Sequence, residues 1–497
     1  MVHLLSQLAK YVVLILFAEY TLTSFLLLNT RMSERRTRSL FARQTRCMFA
    51  LHFICYLVIF TVRLELTVWL LYAAGVALIL VVFLIYRVIY KYAERLIINH
   101  MCMLLLIGFI VLTRLNPAYA VRQLEMAALA VVVSIFIPQL IVKFRLLRKF
   151  TWVYAAIGIA ALGAVLVFSR TSGGAHITFT VGGITFQPSE FVKILFVFYV
   201  ACMYAKTTEF KQVVLTTVVA ALHVMILVAS NDLGAALIFF CTYIVMLYVA
   251  SRKGIYLLGG FGLGALAAAA AGKMFSHVKV RVAAWKDPFA NYNRGGYQVA
   301  QAMFAIGTGG WFGTGLFQGK PESIPVGSSD FVFAAIGEEF GGIFSICIIL
   351  VCLSCFIIIT NVAMSIQDLF YKLIALGFSC VYGVQVFLNI GGVIKFIPST
   401  GLTLPFVSYG GSSIFVSIFM FAIIQGLYIL RHNEGELYAS ENQIRQIAQY
   451  QPQNRKAEEY GSDNRVPQSG SRRKQKKRNP LSGQSGGESG ESEEERW

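Results

Sequence analysis

Apolar runs too long for the interior of a small soluble domain recur along most of this chain. Examples are Tyr11 to Leu28, Leu64 to Tyr86, Trp152 to Phe168 and Phe331 to Ile359. A helix crosses the hydrocarbon core of a bilayer with roughly 20 such residues, so each run predicts a membrane span. We count about thirteen, near 10–28, 47–62, 65–88, 97–113, 122–142, 152–169, 190–205, 213–229, 233–250, 255–272, 331–359, 370–390 and 409–430. A composition of 57% hydrophobic and only 14% charged residues agrees, lying outside the balance of soluble globular domains. Strand-like alternation is absent, which argues against a membrane barrel. The expectation is an all-α polytopic membrane protein.

The net charge of +18 does not point to nucleic acid, because the cations sit between the apolar runs and in the tail. RMSERRTRSLFARQTR (31–46), the segment with Arg87, Lys91 and Arg95, KFRLLRK (143–149) and SRK (251–253) fall on alternate connections. The positive-inside rule makes all four cytoplasmic, which puts the N-terminus outside and the C-terminus in the cytoplasm. The first segment lacks a basic leader and a small-residue cleavage site, so it reads as a retained helix.

Three regions follow. Residues 1–95 form an N-terminal extension of about three spans, and 96–430 a core of about ten spans with a large extracytoplasmic loop at 273–330. Residues 431–497 carry RRKQKKR and GGESGESEEER, too polar to bury a core, and read as a disordered cytoplasmic tail. Its basic cluster suits either anionic lipid or simple solvation. All nine cysteines lie within or beside the spans, and the C-x-x-C of Cys352 and Cys355 reads as packing residues.

In this topology four connections face outward within the core: 170–189, 230–232, 273–330 and 391–408. The long one sets Lys279, Arg281, Lys286, Arg294 and Lys320 against Asp287, Glu322 and Asp330. That balance suits an anionic ligand, with ordinary solvated charge as the alternative. GTGGWFGTGLFQGKP (307–321) is no phosphate loop, since Thr314 replaces the first required glycine and Pro321 follows Lys320. Its glycines suit tight turns and close backbone approach.

The carboxylates divide into two kinds. Asp232 in SNDLG and Asp330 in SSDF each precede a helix, where an N-cap is one account and a functional role the other, and Glu190 and Lys193 in QPSEFVK stand three apart, where a local ion pair is one account. Glu338 and Glu339 resist such accounts. Eight residues into a helix is about 12 Å from its start, where an unpaired carboxylate costs several kcal/mol. At least one needs a partner, a cavity or water, and Lys193 is the most economical partner.

QPSEFVKI (187–194), DLG (232–234), RVAAWKDPF (281–289), GYQVAQAMFAIGTGG (296–310), SDFVFAAIGEE (329–339) and IPSTGLTLPFVSYGGSS (397–413) occur in that order. Together they resemble the SEDS family, the RodA- and FtsW-type enzymes of shape, elongation, division and sporulation. The resemblance covers about residues 97–430 and implies a ten-helix core with both ends cytoplasmic, to which three N-terminal helices are added here. It implies an inverting peptidoglycan glycosyltransferase that polymerises lipid II at the outer face of the bacterial cytoplasmic membrane. A class B penicillin-binding protein is the implied partner.

In the family the aspartate of the T/S-D-F motif is essential for polymerisation, and that position is Asp330 here. The chemistry agrees: transfer needs a base for the acceptor hydroxyl and stabilisation of a departing pyrophosphate. Arg281, Lys193 and Lys320 are the candidate phosphate partners. Glu190, Asp232, Gln301, Glu338 and the SYGGSS turn with Ser408 and Ser412 are further candidate substrate-binding positions, each also open to a structural role. A divalent ion is compatible with the leaving group, but no dedicated ligand set stands out. Two departures from the family pattern are Ile177-Thr178 in place of Arg-Trp, and Asn231 in place of Pro. The alternatives are a flippase of lipid-linked precursor and a noncatalytic scaffold of a cell-wall complex.

Overall fold

The computed structural model describes residues 2–29, 32–168, 170–172, 175–181 and 184–433, so the polar tail from 434 lies outside the described residues. The helices are α1 (Val2–Leu27), α2 (Glu34–Arg63), α3 (Leu66–Val88), α4 (Arg95–Leu115), α5 (Pro117–Ser134), α6 (Ile137–Lys143), α7 (Thr151–Phe168) and α8 (Pro188–Lys206). They continue as α9 (Phe210–Ala229), α10 (Leu233–Ser251), α11 (Gly254–Met274), α12 (Ser276–Lys286), α13 (Gly296–Gly309), α14 (Val332–Ser365) and α15 (Leu369–Val393). The last is α16 (Gly411–Asn433). Among the described residues 12 helical stretches are long and apolar enough to cross a membrane, with α5 and α6 forming one of them. Helix α7 is a shorter apolar helix that fills the remaining expected span.

Side chains that satisfy the first backbone N–H groups punctuate these spans. Asn116 accepts from the Ala118 N–H with Pro117 at the first helical position, Asp232 from Ala235, and Asp368 from Phe370 and Tyr371. Such caps matter most where a helix end meets lipid and water cannot repair an open N–H.

The N-terminal helices are built into the bundle. Every residue of α4 from Leu96 to Arg114 is buried, with α2, α5 and α14 packed around it. Helix α1 lies against α2 and α14, with the Phe17 and Phe344 rings 4.4 Å apart. Several polar groups inside this packing are paired: Tyr20 OH meets His100 Nδ1 at 3.0 Å, and His100 Nε2 meets Ser354 Oγ at 3.0 Å. Gln44 donates to Ser24 and accepts from Asn99, both at 2.9 Å.

Three expectations change. The 273–330 connection holds two helices, α12 and α13, because VKVRVAAWK and GYQVAQAMFAIG carry good helix formers between glycine and proline breaks. The 170–189 connection forms a small antiparallel sheet, β1 (Arg170–Ser172), β2 (Ala175–Val181) and β3 (Ile184–Phe186), in the order β1-β2-β3. Ile177 and Thr178 lie in β2. Finally, α14 is interrupted at Gly341, whose φ of 89° is left-handed and suits glycine.

Candidate active site

The break in α14 frees backbone groups that a continuous helix would have paired, and the glycine-rich turn after α13 takes them up. Gly342 N donates to Gly310 O at 2.8 Å and Ile343 N to Trp311 O at 3.2 Å. In return Thr314 N donates to Glu338 O and Gly315 N to Glu339 O, each at 2.9 Å. The approach is so close that a Cβ on Gly309 would stand 2.0 Å from Gly337 O, and one on Gly313 2.3 Å from Glu339 O. These glycines are therefore sites of backbone contact, as the turn-and-approach reading anticipates.

Glu338 and Glu339 stand just before the break and have different partners. Glu339 Oε1 accepts from Arg114 Nε at 2.9 Å and from Phe317 N at 3.0 Å. The two charged side chains are 3% and 5% exposed, and the Arg114 guanidinium also stacks 4.1 Å from the Phe317 ring centroid. Arg114 reaches Glu322 as well, at the rim. Burial works against the Glu322 carboxylate, but the Arg114 hydrogen bond prevails and lowers its pKa. Glu338 Oε1 accepts from Lys320 N at 2.8 Å, whereas its buried Oε2 has no hydrogen-bond partner.

Lys193 is therefore not the partner of either glutamate. Its Nζ is 2.8 Å from Glu190 Oε2 and 2.9 Å from Gln385 Oε1, inside the bundle. One turn of α8 brings Lys193 and Glu190 together, and that local pair uses the charge before a distant carboxylate can.

Asp330 sits between three segments. Its backbone carbonyl accepts from Asn389 Nδ2 of α15 at 2.9 Å, and Asn389 also donates to Leu402 O. Ser408 Oγ donates to Ser329 O at 2.6 Å and accepts from Leu404 N at 2.8 Å, and Tyr409 N donates to Ser328 O at 2.8 Å. Arg281 of α12 arrives from the other side, its Nη1 donating to Ser399 O at 3.2 Å. Trp285, one turn further along α12, donates to Lys395 O at 3.1 Å.

Between Asp330 and Arg281 stands Gly401. A Cβ built there would lie 3.6 Å from Asp330 Oδ2 and 3.6 Å from Arg281 Nη2. The carboxylate and the guanidinium thus face one another across a bare Cα. Burial raises the pKa of Asp330, against the opposing pull of Arg281 and a hydrogen bond from Ser329. An aspartate with a raised pKa beside a fixed cation is the arrangement of a proton acceptor and an anion holder.

A family model described as cell cycle protein, FtsW/RodA/SpoVE, matches residues 94–433, which include every one of these groups. The chain belongs to the FtsW/RodA/SpoVE family. Peptidoglycan glycosyltransferase RodA of Mycobacterium tuberculosis is 37% identical over 267 residues, 50% of this chain and 57% of that relative's length. RodA of Mycobacterium leprae is 32% identical over 321 residues, 61% of this chain and 69% of the relative. The probable peptidoglycan glycosyltransferase FtsW of Bacillus subtilis is 33% identical over 301 residues, 56% and 74% of the two chains.

Solved structures share the fold. A chain from a structure on the coordination of polymerization and crosslinking by a peptidoglycan synthase complex aligns with a TM-score of 0.60. It is 24% identical, and the match covers 68% of this chain and 97% of that one. The crystal structure of Thermus thermophilus rod shape determining protein RodA aligns with a TM-score of 0.53 at 23% identity, covering 68% and 96%.

Within this FtsW/RodA/SpoVE core the other candidate residues divide by position. Asp232 caps α10 through Ala235 N and accepts from Ser189 Oγ at 2.9 Å, and burial raises its pKa against those stabilising bonds. Ser412 Oγ accepts from Gln187 N at 2.9 Å, and so ties the start of α16 to the start of α8. Gln301 of α13 donates to Tyr292 OH at 3.2 Å. Lys320 has an exposed side chain on the turn that covers Glu338.

Sequence reasoning missed Arg114, Gln123, Gln385 and Asn389. Gln123 of α5 donates to Ser408 O at 2.9 Å and accepts from Gly410 N at 3.2 Å, while Gln385 donates to Thr403 O at 3.0 Å. Polar residues inside apolar spans were the available signal, since such groups need partners.

Outside the family match, α1 grips the glycine-rich turn. Ser6 Oγ donates to Leu316 O at 2.7 Å, Gln7 Nε2 to Thr314 O at 2.8 Å and Lys10 Nζ to Gly313 O at 3.1 Å. Ser6 is 1% exposed, so Ser6→Ala strands the Leu316 carbonyl. A loss of about 1–2 kcal/mol is expected, read as a lower unfolding midpoint in detergent.

Proposed function

We propose that this chain is an inverting peptidoglycan glycosyltransferase that polymerises lipid II, with the Asp330 end of the bundle outside the cytoplasmic membrane. The observation that carries the reading is the Asp330–Gly401–Arg281 arrangement. Asp330 takes the proton of the acceptor hydroxyl as its oxygen bonds the anomeric carbon of the donor. The bond from that carbon to the lipid pyrophosphate breaks, and the negative charge that develops there faces Arg281. Lys320, whose side chain is exposed, is a further candidate cation for that charge. Lys193, held by Glu190 and Gln385, has a structural role in this reading. Asp232, Ser408 and Ser412 position the walls, Gln301 orders α13, and Glu338 supports the turn that carries Lys320.

An apolar groove of about 570 Å³ between α10, α14 and α15 supports a lipid-linked substrate. It ends at Ile394 and Phe396, next to the Lys395 carbonyl that holds Trp285. A polyprenyl chain lies there while the sugar stands in water at Asp330. The complex that the fold resembles supports a crosslinking partner of the class B penicillin-binding kind. The residue boundaries 1–95, 96–430 and 431–497 serve this reading as extension, polymerase core and cytoplasmic tail, with the N-terminus outside.

The test is direct. Purified chain, alone and with its transpeptidase partner, is expected to convert lipid II into glycan strands on a denaturing gel; intact lipid II in both reactions would sink the assignment. Gly401→Ala is expected to slow that reaction strongly. Its φ of 75° costs a side-chain-bearing residue about 1–2 kcal/mol, and the added methyl enters the gap between Asp330 and Arg281. Turnover falling far more than the unfolding midpoint is the expected signature.

A further inference from the structure

The opposite end of the bundle holds a second concave feature that the glycosyl-transfer reading does not use. A cavity of about 780 Å³ opens between α2, α3 and the start of α4. Arg38, Arg87, Lys91 and Arg95 line it, and among the described residues no Asp or Glu does. Among the described residues only Arg38 of the four has an ion pair, with Glu34 at 3.1 Å, and both of those side chains are more than three-quarters exposed. Such a pair is weak, and among the described residues no other acidic side chain pairs with these four cations.

Position separates this cavity from the Asp330 site. Arg95 begins the 21-residue α4 and Arg114 stands near its end, paired with Glu339. A helix of that length sets the two sites about 30 Å apart, at opposite membrane faces.

A positive-inside signal needs cations at a membrane face, but it does not need them to converge. Here three helices bring them around one hollow. Phe41 and Phe83 give the same hollow an apolar wall. Cations at the mouth and aromatic rings within match an amphiphile with a phosphate at one end. A free anion would leave those rings exposed to water. The volume falls in the range of sites that hold ligands of drug size.

We propose that this cavity binds the phosphate headgroup of an anionic phospholipid, with Arg38, Arg87, Lys91 and Arg95 on the phosphate and Phe41 and Phe83 against the first acyl carbons. The N-terminal extension thereby carries a lipid site. Inorganic phosphate offers the same charge without the apolar part, which lets experiment separate the two sources.

The full chain in detergent, given phosphatidylglycerol, phosphatidylethanolamine or inorganic phosphate, is read by native mass spectrometry and by the unfolding midpoint. Phosphatidylglycerol is expected to stay bound and raise the midpoint, and phosphatidylethanolamine to do neither. The triple variant Arg87→Gln, Lys91→Gln, Arg95→Gln is expected to weaken phosphatidylglycerol binding at least about tenfold. An equal charge loss at the exposed Arg35, Arg36 and Arg46 of α2, outside the cavity, is expected to leave it unchanged. Equal retention of both lipids by the unaltered chain overturns the proposal without any variant. So does competition by inorganic phosphate at concentrations comparable to the lipid, or an equal loss in the two triple variants.

Discussion

Asp330→Asn is expected to lower glycan polymerisation by about 10²–10⁴-fold, the usual contribution of a positioned general base. The unfolding midpoint is expected to stay within a few degrees of the unaltered chain. The two effects separate because the fold holds residue 330 by its backbone carbonyl, through Asn389. Asparagine keeps the size of the side chain and removes its negative charge and its capacity to accept a proton.

The same residue sets a pH dependence. A base works deprotonated, so the rate falls as pH drops through the pKa of Asp330. Burial raises that pKa, so the acid limb lies at higher pH than the ordinary aspartate value of about 3.9 would give. Arg281 pulls it down, and Arg281→Gln removes that pull. The acid limb of kcat/KM is therefore expected to move to still higher pH in Arg281→Gln, together with a lower plateau from the lost pyrophosphate contact. A lower plateau with an unmoved limb would leave Arg281 as a phosphate ligand with no electrostatic hold on Asp330.

The second large effect is on stability. Arg114→Met leaves the buried Glu339 carboxyl without its partner, a change that costs about 3–5 kcal/mol when one partner of a buried pair is removed. Adding Glu339→Gln removes the stranded carboxyl and keeps an oxygen for the Phe317 N–H, so the double variant is expected to recover most of the loss. Glu322 matters less, because its side chain is 54% exposed and water screens its pairing with Arg114. Thermal unfolding of the two single variants and the double variant measures this coupling. Simple additivity would contradict a direct Arg114–Glu339 pair.

The number and place of the spans were legible because a bilayer imposes a run length that few soluble segments reach. Helices α12 and α13 were not, since they are short and lie inside a connection rich in glycine. The sequence shows two glycines after Glu339 but gives no sign that α14 breaks there. The break depends on the turn at 309–315 returning to take its hydrogen bonds. Arg114, at the end of an apolar run, looked like a span boundary, and its partner Glu339 is 225 positions away. The motifs around Asp330, Arg281 and Gly401 were readable one by one through the family resemblance. Their meeting at one mouth is a matter of packing between α12, α14 and the segment after α15.

The most direct measurement of the central claim uses proteoliposomes that hold the purified chain, its transpeptidase partner and labelled lipid II, scored for glycan strands and for translocated lipid in the same sample. Strands are expected from the unaltered chain, none from Asp330→Asn, and no translocation that depends on Asp330. Translocated lipid II without strands, or strands that persist in Asp330→Asn, would contradict that claim.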